Sequence, residues 1–202
     1  MVKRILGNSL FLIFLILSTS GCLKRVVERE DPATVIDLSG RWNDSDSSEV
    51  SNALINQMLD HDWYSEFRSE SSRNPSVICG RLKNNTLEHI SSETITKDLE
   101  RAMINSGRID VIASRDEREE IRTERNEMIH WASVSTRKKL KNETAADFML
   151  KGVMNSIIDE YKGKIVVYYQ TDLNLIDTES NTVIWAGQKK IKKTIKKPLF
   201  RF

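Results

Sequence analysis

Between Phe148 and Lys193 apolar and polar positions alternate, the repeat of a strand with one face on a core. From Ile165 to Leu175 the odd positions read Ile, Val, Tyr, Thr, Leu and Leu, and the even ones turn polar after Tyr168. Upstream, Phe148 to Ile158 sets Phe148, Leu150, Gly152, Met154 and Ile158 on one face and reaches the next segment through Tyr161-Lys162-Gly163, whose glycine suits a hairpin. Downstream, after the polar turn Asp177 to Asn181, Thr182 to Lys192 sets Val183, Trp185, Gly187 and Ile191 on one face. An antiparallel meander with one apolar side is predicted, and that side needs a cover.

The cover is found earlier in the chain. Asp46 followed by Glu49 has the spacing of a helix cap with its reciprocal carboxylate, which predicts a helix from Ser47 to about Asp60 with Val50, Ala53, Leu54 and Met58 on one side. Pro75 to Leu82 reads as a strand buried on both faces, followed by a turn over Lys83 to Thr86. Ser91-Ser92 caps a second helix with an Ile95, Leu99, Ala102, Met103 stripe, and Gly107 ends it in the left-handed conformation. Ile109 to Ala113 is a second short strand. Ser114 with Glu117 then caps a charge-dense helix from Arg115 to about Val134, whose only seam is Ile121, Met128, Ile129 and Ala132. Such a helix lies on the surface, as a solvated face or a protein-binding one. Thr136 to Asn142 is a basic connection. The assembled expectation is an α/β fold: a mixed sheet of about five strands, ending in an antiparallel three-strand meander and covered by helices. Its strand–helix–strand unit from Pro75 to Ala113 is expected to cross right-handed.

A length of 202 residues fits one domain. The first residues change the picture of where it works. Lys3 and Arg4, an apolar run from Leu10 to Leu17, the small residues Ser18-Thr19-Ser20-Gly21 and then Cys22 read as a secretory signal too short for a comfortable membrane span. A cysteine there resembles the lipobox of bacterial lipoproteins, with Thr19 where leucine is usual; cleavage after Gly21 and lipid (palmitate) on Cys22 are expected. The predicted organisation is a signal peptide over 1–21, a flexible tether over 22–35 and a single domain over 36–202. The 31 Lys and Arg against 29 Asp and Glu fall to 29 against 29 once Lys3 and Arg4 are removed, a balance that recruits no nucleic acid. With Cys22 acylated, Cys79 has no disulfide partner and reads as a small buried apolar residue.

The chemistry-bearing residues are sparse. His61, His89 and His130 lack the pairing of a zinc helix. The Asp44, Asp46, Glu49 cluster lacks the glycine and distal glutamate of a calcium loop and reads as capping rather than a metal site. Neither a Gly-x-Ser-x-Gly elbow nor a phosphate-cradling glycine loop occurs. No catalytic residue, cofactor or metal ligand is therefore assigned. Two features suit a binding protein. Arg41 and Trp42 sit in a loop of small polar groups, as an interface anchor or as a Trp folded down over the sheet edge. The lysines from Lys189 to Lys193, with Lys196 and Lys197, face acidic lipid or an acidic partner, or keep an edge strand from pairing.

The blocks Asp37-Leu38-Ser39-Gly40-Arg41-Trp42-Asn43-Asp44-Ser45-Asp46, Asn84-Asn85-Thr86 with Glu88-His89-Ile90, Asn105-Ser106-Gly107, Ala146 to Gly152, and Val183-Ile184-Trp185 through Lys193 resemble those of the LpoB-type lipoproteins, activators of penicillin-binding proteins. The resemblance covers Ile36 to Lys193. It implies a domain similar to the N-terminal domain of TolB, a lipid anchor in the outer membrane facing the periplasm, and a non-catalytic role in peptidoglycan synthesis and cell-wall biogenesis. The implied partner is a bifunctional transpeptidase/glycosyltransferase penicillin-binding protein that the chain stimulates. Arg41, Trp42, Asn84, Asn85 and His89 are the candidate contacts. The tether here is short, where an activator crossing the peptidoglycan layer is expected to carry a long arm. The alternative is an envelope assembly or structural lipoprotein with the same fold and a different protein partner.

Overall fold

A computed structural model describes residues 27–31, 34–133, 135 and 142–196. Gly21, Cys22, Lys197 and nearly all of the basic connection lie outside the described residues. The chain divides after Thr34 into two units. In the first, the described residues are exposed and belong to no helix or strand.

The elements in chain order are α1 (Asp44–Leu59), α2 (Asp62–Ser71), β1 (Ser76–Asn84), α3 (Ser92–Ser106), β2 (Asp110–Ile112), α4 (Arg115–Trp131), β3 (Phe148–Tyr161), β4 (Lys164–Asp177) and β5 (Val183–Lys196). The strands form one mixed sheet in the order β2-β1-β3-β4-β5. β1 runs parallel to both β2 and β3, and β3, β4 and β5 form the antiparallel meander. The predicted α/β architecture is the observed one. Lys162 and Gly163, both at positive φ, make the two-residue turn between β3 and β4, the geometry that matches the twist of a hairpin.

One face of the sheet carries the core. Val50, Leu54, Ile55 and Met58 of α1 and Ile95, Leu99 and Met103 of α3 pack on Val77, Leu150, Met154, Leu173, Leu175 and Trp185. Each such side chain, taken out of water, contributes about 1.5–3 kcal/mol. Gly152 and Gly187 flank Leu173 in register on this face. A Cβ on Gly152 would come 2.6 Å from the Asp172 carbonyl oxygen, and the Trp185 indole lies over Gly187. Both positions are glycine because neighbours fill the space a side chain would take.

Several expectations need correction. Helix α1 starts three residues early, because Asn43 is the cap: its side chain accepts the Asp46 N–H while the Asp46 carboxylate accepts the Asn43 N–H, both at 2.9 Å. The reciprocal pair exists, with Asp46 in the role assigned to Glu49. Helix α2, absent from the predicted order, is capped by His61 and buries Trp63, whose indole N–H donates to the Met58 carbonyl at 2.7 Å. Trp63 and Phe67 both meet the Phe148 ring edge-on. On β5 a register shift at Leu175/Ile176 turns Val183 to the open face, away from buried Trp185. Ile158, expected in the core, is 43% exposed because β3 and β4 extend beyond the helices. Helix α4 has the predicted Ser114–Glu117 capping box but ends at Trp131 and buries no residue: of its apolar seam Ile121 and Ile129 are exposed and Met128 and Ala132 half-buried.

Candidate partner-binding groove

Two loops at one side of the sheet make a groove of about 470 Å³. The first, ahead of α1, supplies Arg41 and Trp42; the second, between β1 and α3, supplies Glu88 and His89; Thr94 and Ile95 of α3 form part of the lining.

The first loop is pinned from below. Asp37 and Asp46 both receive the Lys193 ammonium, Lys193 also donates to the Arg41 carbonyl at 3.1 Å, and Asn43 donates to Asp37 at 2.8 Å. Burial pulls the Lys193 ammonium down, yet Asp37 and Asp46 outweigh it and the net shift is upward. Glu49 takes Lys189 at 2.8 Å. The basic run therefore divides by face. Lys189 and Lys193 turn inward onto acids of the α1 region, while Lys190, Lys192 and Lys196 are exposed. Inward charges of this kind also discourage edge-to-edge pairing. The Asp44, Asp46, Glu49 cluster is engaged in capping and ion pairs, and no group of three or more His, Cys, Asp or Glu able to hold a metal ion occurs among the described residues.

The second loop is organised by Asn84. Its amide donates to the carbonyls of Glu88 at 3.0 Å and Ile90 at 3.2 Å, and its oxygen accepts from the Thr86 N–H and hydroxyl at 2.9 and 2.7 Å. One buried-edge side chain thus replaces the backbone partners the loop lacks. Asn85 donates its backbone N–H to the Met154 carbonyl at 2.8 Å, fastening the loop to β3.

Glu88 joins the two loops. One carboxylate oxygen accepts the Trp42 N–H at 3.2 Å and the other accepts the Tyr169 hydroxyl at 2.6 Å. Burial, then the Glu88 hydrogen bond, raises the pKa of the Tyr169 phenol, so it stays a neutral donor. Trp42 meets the Tyr169 ring edge-on at 5.4 Å and packs against the core, half-buried. Of the sequence-derived candidates, the fold brings Arg41, Trp42 and His89 to the groove, with Arg41 and His89 exposed. Asn84 sits behind the wall it shapes, and Asn85 is exposed beside β3.

Sequence reasoning passed over Leu38 and Leu87, which lie in these two loops and are 93% and 84% exposed. A lone leucine in a short polar loop was the available signal. A half-buried aromatic, an exposed guanidinium and imidazole, and solitary exposed leucines suit contact with a protein surface.

A family model described as peptidoglycan-synthase activator LpoB matches residues 46–191. No curated protein matches the chain by sequence. Among solved structures it is similar to the C-terminal domain of LpoB from Salmonella enterica, at 14% identity and TM-score 0.43 over 72% of this chain and 98% of that one. It is also similar to the same domain from Escherichia coli, at 12% identity and TM-score 0.41 over 75% and 99%. A third, lipoprotein GNA1162 from Neisseria meningitidis, matches at 10% identity and TM-score 0.40 over 59% and 83%.

Proposed function

This chain belongs to the peptidoglycan-synthase activator LpoB family, and we propose that it is a lipid-anchored regulator that binds a bifunctional penicillin-binding protein and stimulates it by contact. The family match over residues 46–191 carries this reading, because it spans most of the sheet, nearly all of the core helices and the second loop of the groove. The chain acts through surface rather than chemistry: its groove offers Arg41, Trp42 and His89 to a partner, and Glu88 is occupied in holding the loops together. Asn84 and Asn85 support the contact by fixing the loop that bears His89. Cys22, exposed as the first residue by cleavage after Gly21, takes the lipid and tethers the domain to the outer membrane on its periplasmic side, with residues 22–35 as the leash.

Affinity capture from solubilised envelope tests the partner. Recovery of a glycosyltransferase–transpeptidase, weakened by Trp42→Ala or Arg41→Glu, supports the reading. Recovery only of other lipoproteins or secretion components would transfer the fold to an envelope-assembly role.

A further inference from the structure

The tip of the β3–β4 hairpin carries apolar side chains that the core does not use, Ile157 and Tyr161 on the open face of the sheet and Ile158 on the core side. Ile157, Ile158 and Tyr161 are 66%, 43% and 71% exposed. Lysines surround them: Lys162 in the turn, Lys164 opposite Tyr161, and Lys196 opposite Lys164, all exposed. Asp159 lies on the face of Ile157 and Tyr161 and Glu160 on the other, so on the open face Lys164 and Lys196, with Lys162 in the turn, outnumber one acid. The Lys162 ammonium lies 5.2 Å from the centre of the Tyr161 ring. An amphipathic ring and branched aliphatics among long-stemmed cations are the chemistry of a lipid–water boundary, where tyrosine sits at headgroup level and lysine reaches outward. This stretch has no arginine. Compact ammonium charges suit a diffuse anionic layer better than a planar bidentate partner.

The folded unit is entered at the same end. Asp37 holds Lys193, and the Gly40 backbone lies against Ile195, which pairs with Ile165 one register step from Lys164 and Lys196. Cys22 precedes Val35 by about 13 residue steps, roughly 45 Å at full extension. A lipid on Cys22 would therefore leave the hairpin tip within reach of a bilayer.

We propose that the tip of the β3–β4 hairpin docks on an anionic phospholipid surface, seating Tyr161 and Ile157 among the headgroups with Lys162, Lys164 and Lys196 on the phosphates. The part played by the anchor rests on the lipid-anchored reading given above; the binding itself does not.

The chain from Thr34 onward contains every core residue named here and lacks Cys22, so its sedimentation with vesicles isolates the tip from the anchor. It is expected to pellet with vesicles containing phosphatidylglycerol, about tenfold less with phosphatidylcholine alone, and progressively less as salt rises. The Tyr161→Ser, Lys164→Glu double variant, whose changes are both solvent-exposed, is expected to lose this binding while keeping the parent urea midpoint. No binding to anionic vesicles, equal binding to both kinds, or binding unaffected by the double variant would overturn the proposal. So would capture of an acidic protein by this tip without vesicle binding. Palmitate incorporation at Cys22 in cells reports the anchor separately, so either idea can fail alone.

Discussion

The Glu88 carboxylate accepts the Tyr169 hydroxyl at 2.6 Å across 81 residues of sequence, and that bond closes one wall of the groove. Tyr169→Phe keeps the ring against Trp42 but leaves the Glu88 oxygen without its donor. A loss of about 1–3 kcal/mol is expected, read as a lower urea midpoint at unchanged slope. An unaltered midpoint would mean that the bond holds nothing.

Lys192 and Lys193 are neighbours on β5 with opposite tasks. Lys193→Ala strips the counter-ion from the buried Asp46 carboxylate and is expected to cost about 3 kcal/mol. Lys192→Ala, on the open face, is expected to change stability by less than about 0.5 kcal/mol. Equal effects would contradict the division of the basic run by face.

Asp147 sets an acid limit on stability. The Arg73 guanidinium foremost, and the Ser76 N–H and hydroxyl against the opposing cost of burial, lower its carboxyl from 3.8 to about 2. Since the folded value lies below the unfolded one, the stabilisation is fully present above about pH 4 and is lost as pH falls through about 2. With Arg73 half exposed, this amounts to roughly 1–2 kcal/mol. Asp147→Asn is expected to lose that much at neutral pH and to flatten the acid limb of a denaturation series. A parallel acid limb in the variant would refute the assignment.

Cys79, expected to be buried, is half-buried in the structure and is expected to react slowly with thiol reagents. Burial pushes its thiol up to about 12, so almost no thiolate exists at neutral pH. In the chain from Thr34 onward Cys79 is the sole cysteine, and Ellman's reagent should titrate it much more slowly in the folded chain than after urea is added. Fast labelling of the folded chain would show an accessible thiol.

Legibility in the sequence followed how local each signal was. The meander was readable because every second residue of β4 from Val167 to Leu175 is buried, and the Ser114–Glu117 box because a cap needs only four residues. Val183 was misplaced because a register shift leaves no mark on alternation, and Ile158 because nothing in the strand's pattern tells where the helices stop covering it. Helix α2 was missed because it buries only Trp63, too little for a visible stripe. The groove was half legible. Arg41, Trp42 and His89 stood out by residue type, whereas the link of Glu88 to Tyr169 is a long-range contact that one sequence does not display.

Membrane attachment is separable from folding. Cys22→Ala is expected to release the chain from the envelope membrane fraction while the urea midpoint of the domain is preserved. Persistent membrane attachment would contradict lipidation at Cys22.

The most direct test of the account measures glycan-chain polymerisation by a purified bifunctional penicillin-binding protein of the source cell, with and without this chain. The account predicts that the chain raises the synthase's rate, that Trp42→Ala loses most of the increase while remaining folded, and that the chain alone polymerises nothing. A synthase rate that stays the same at saturating chain would contradict it.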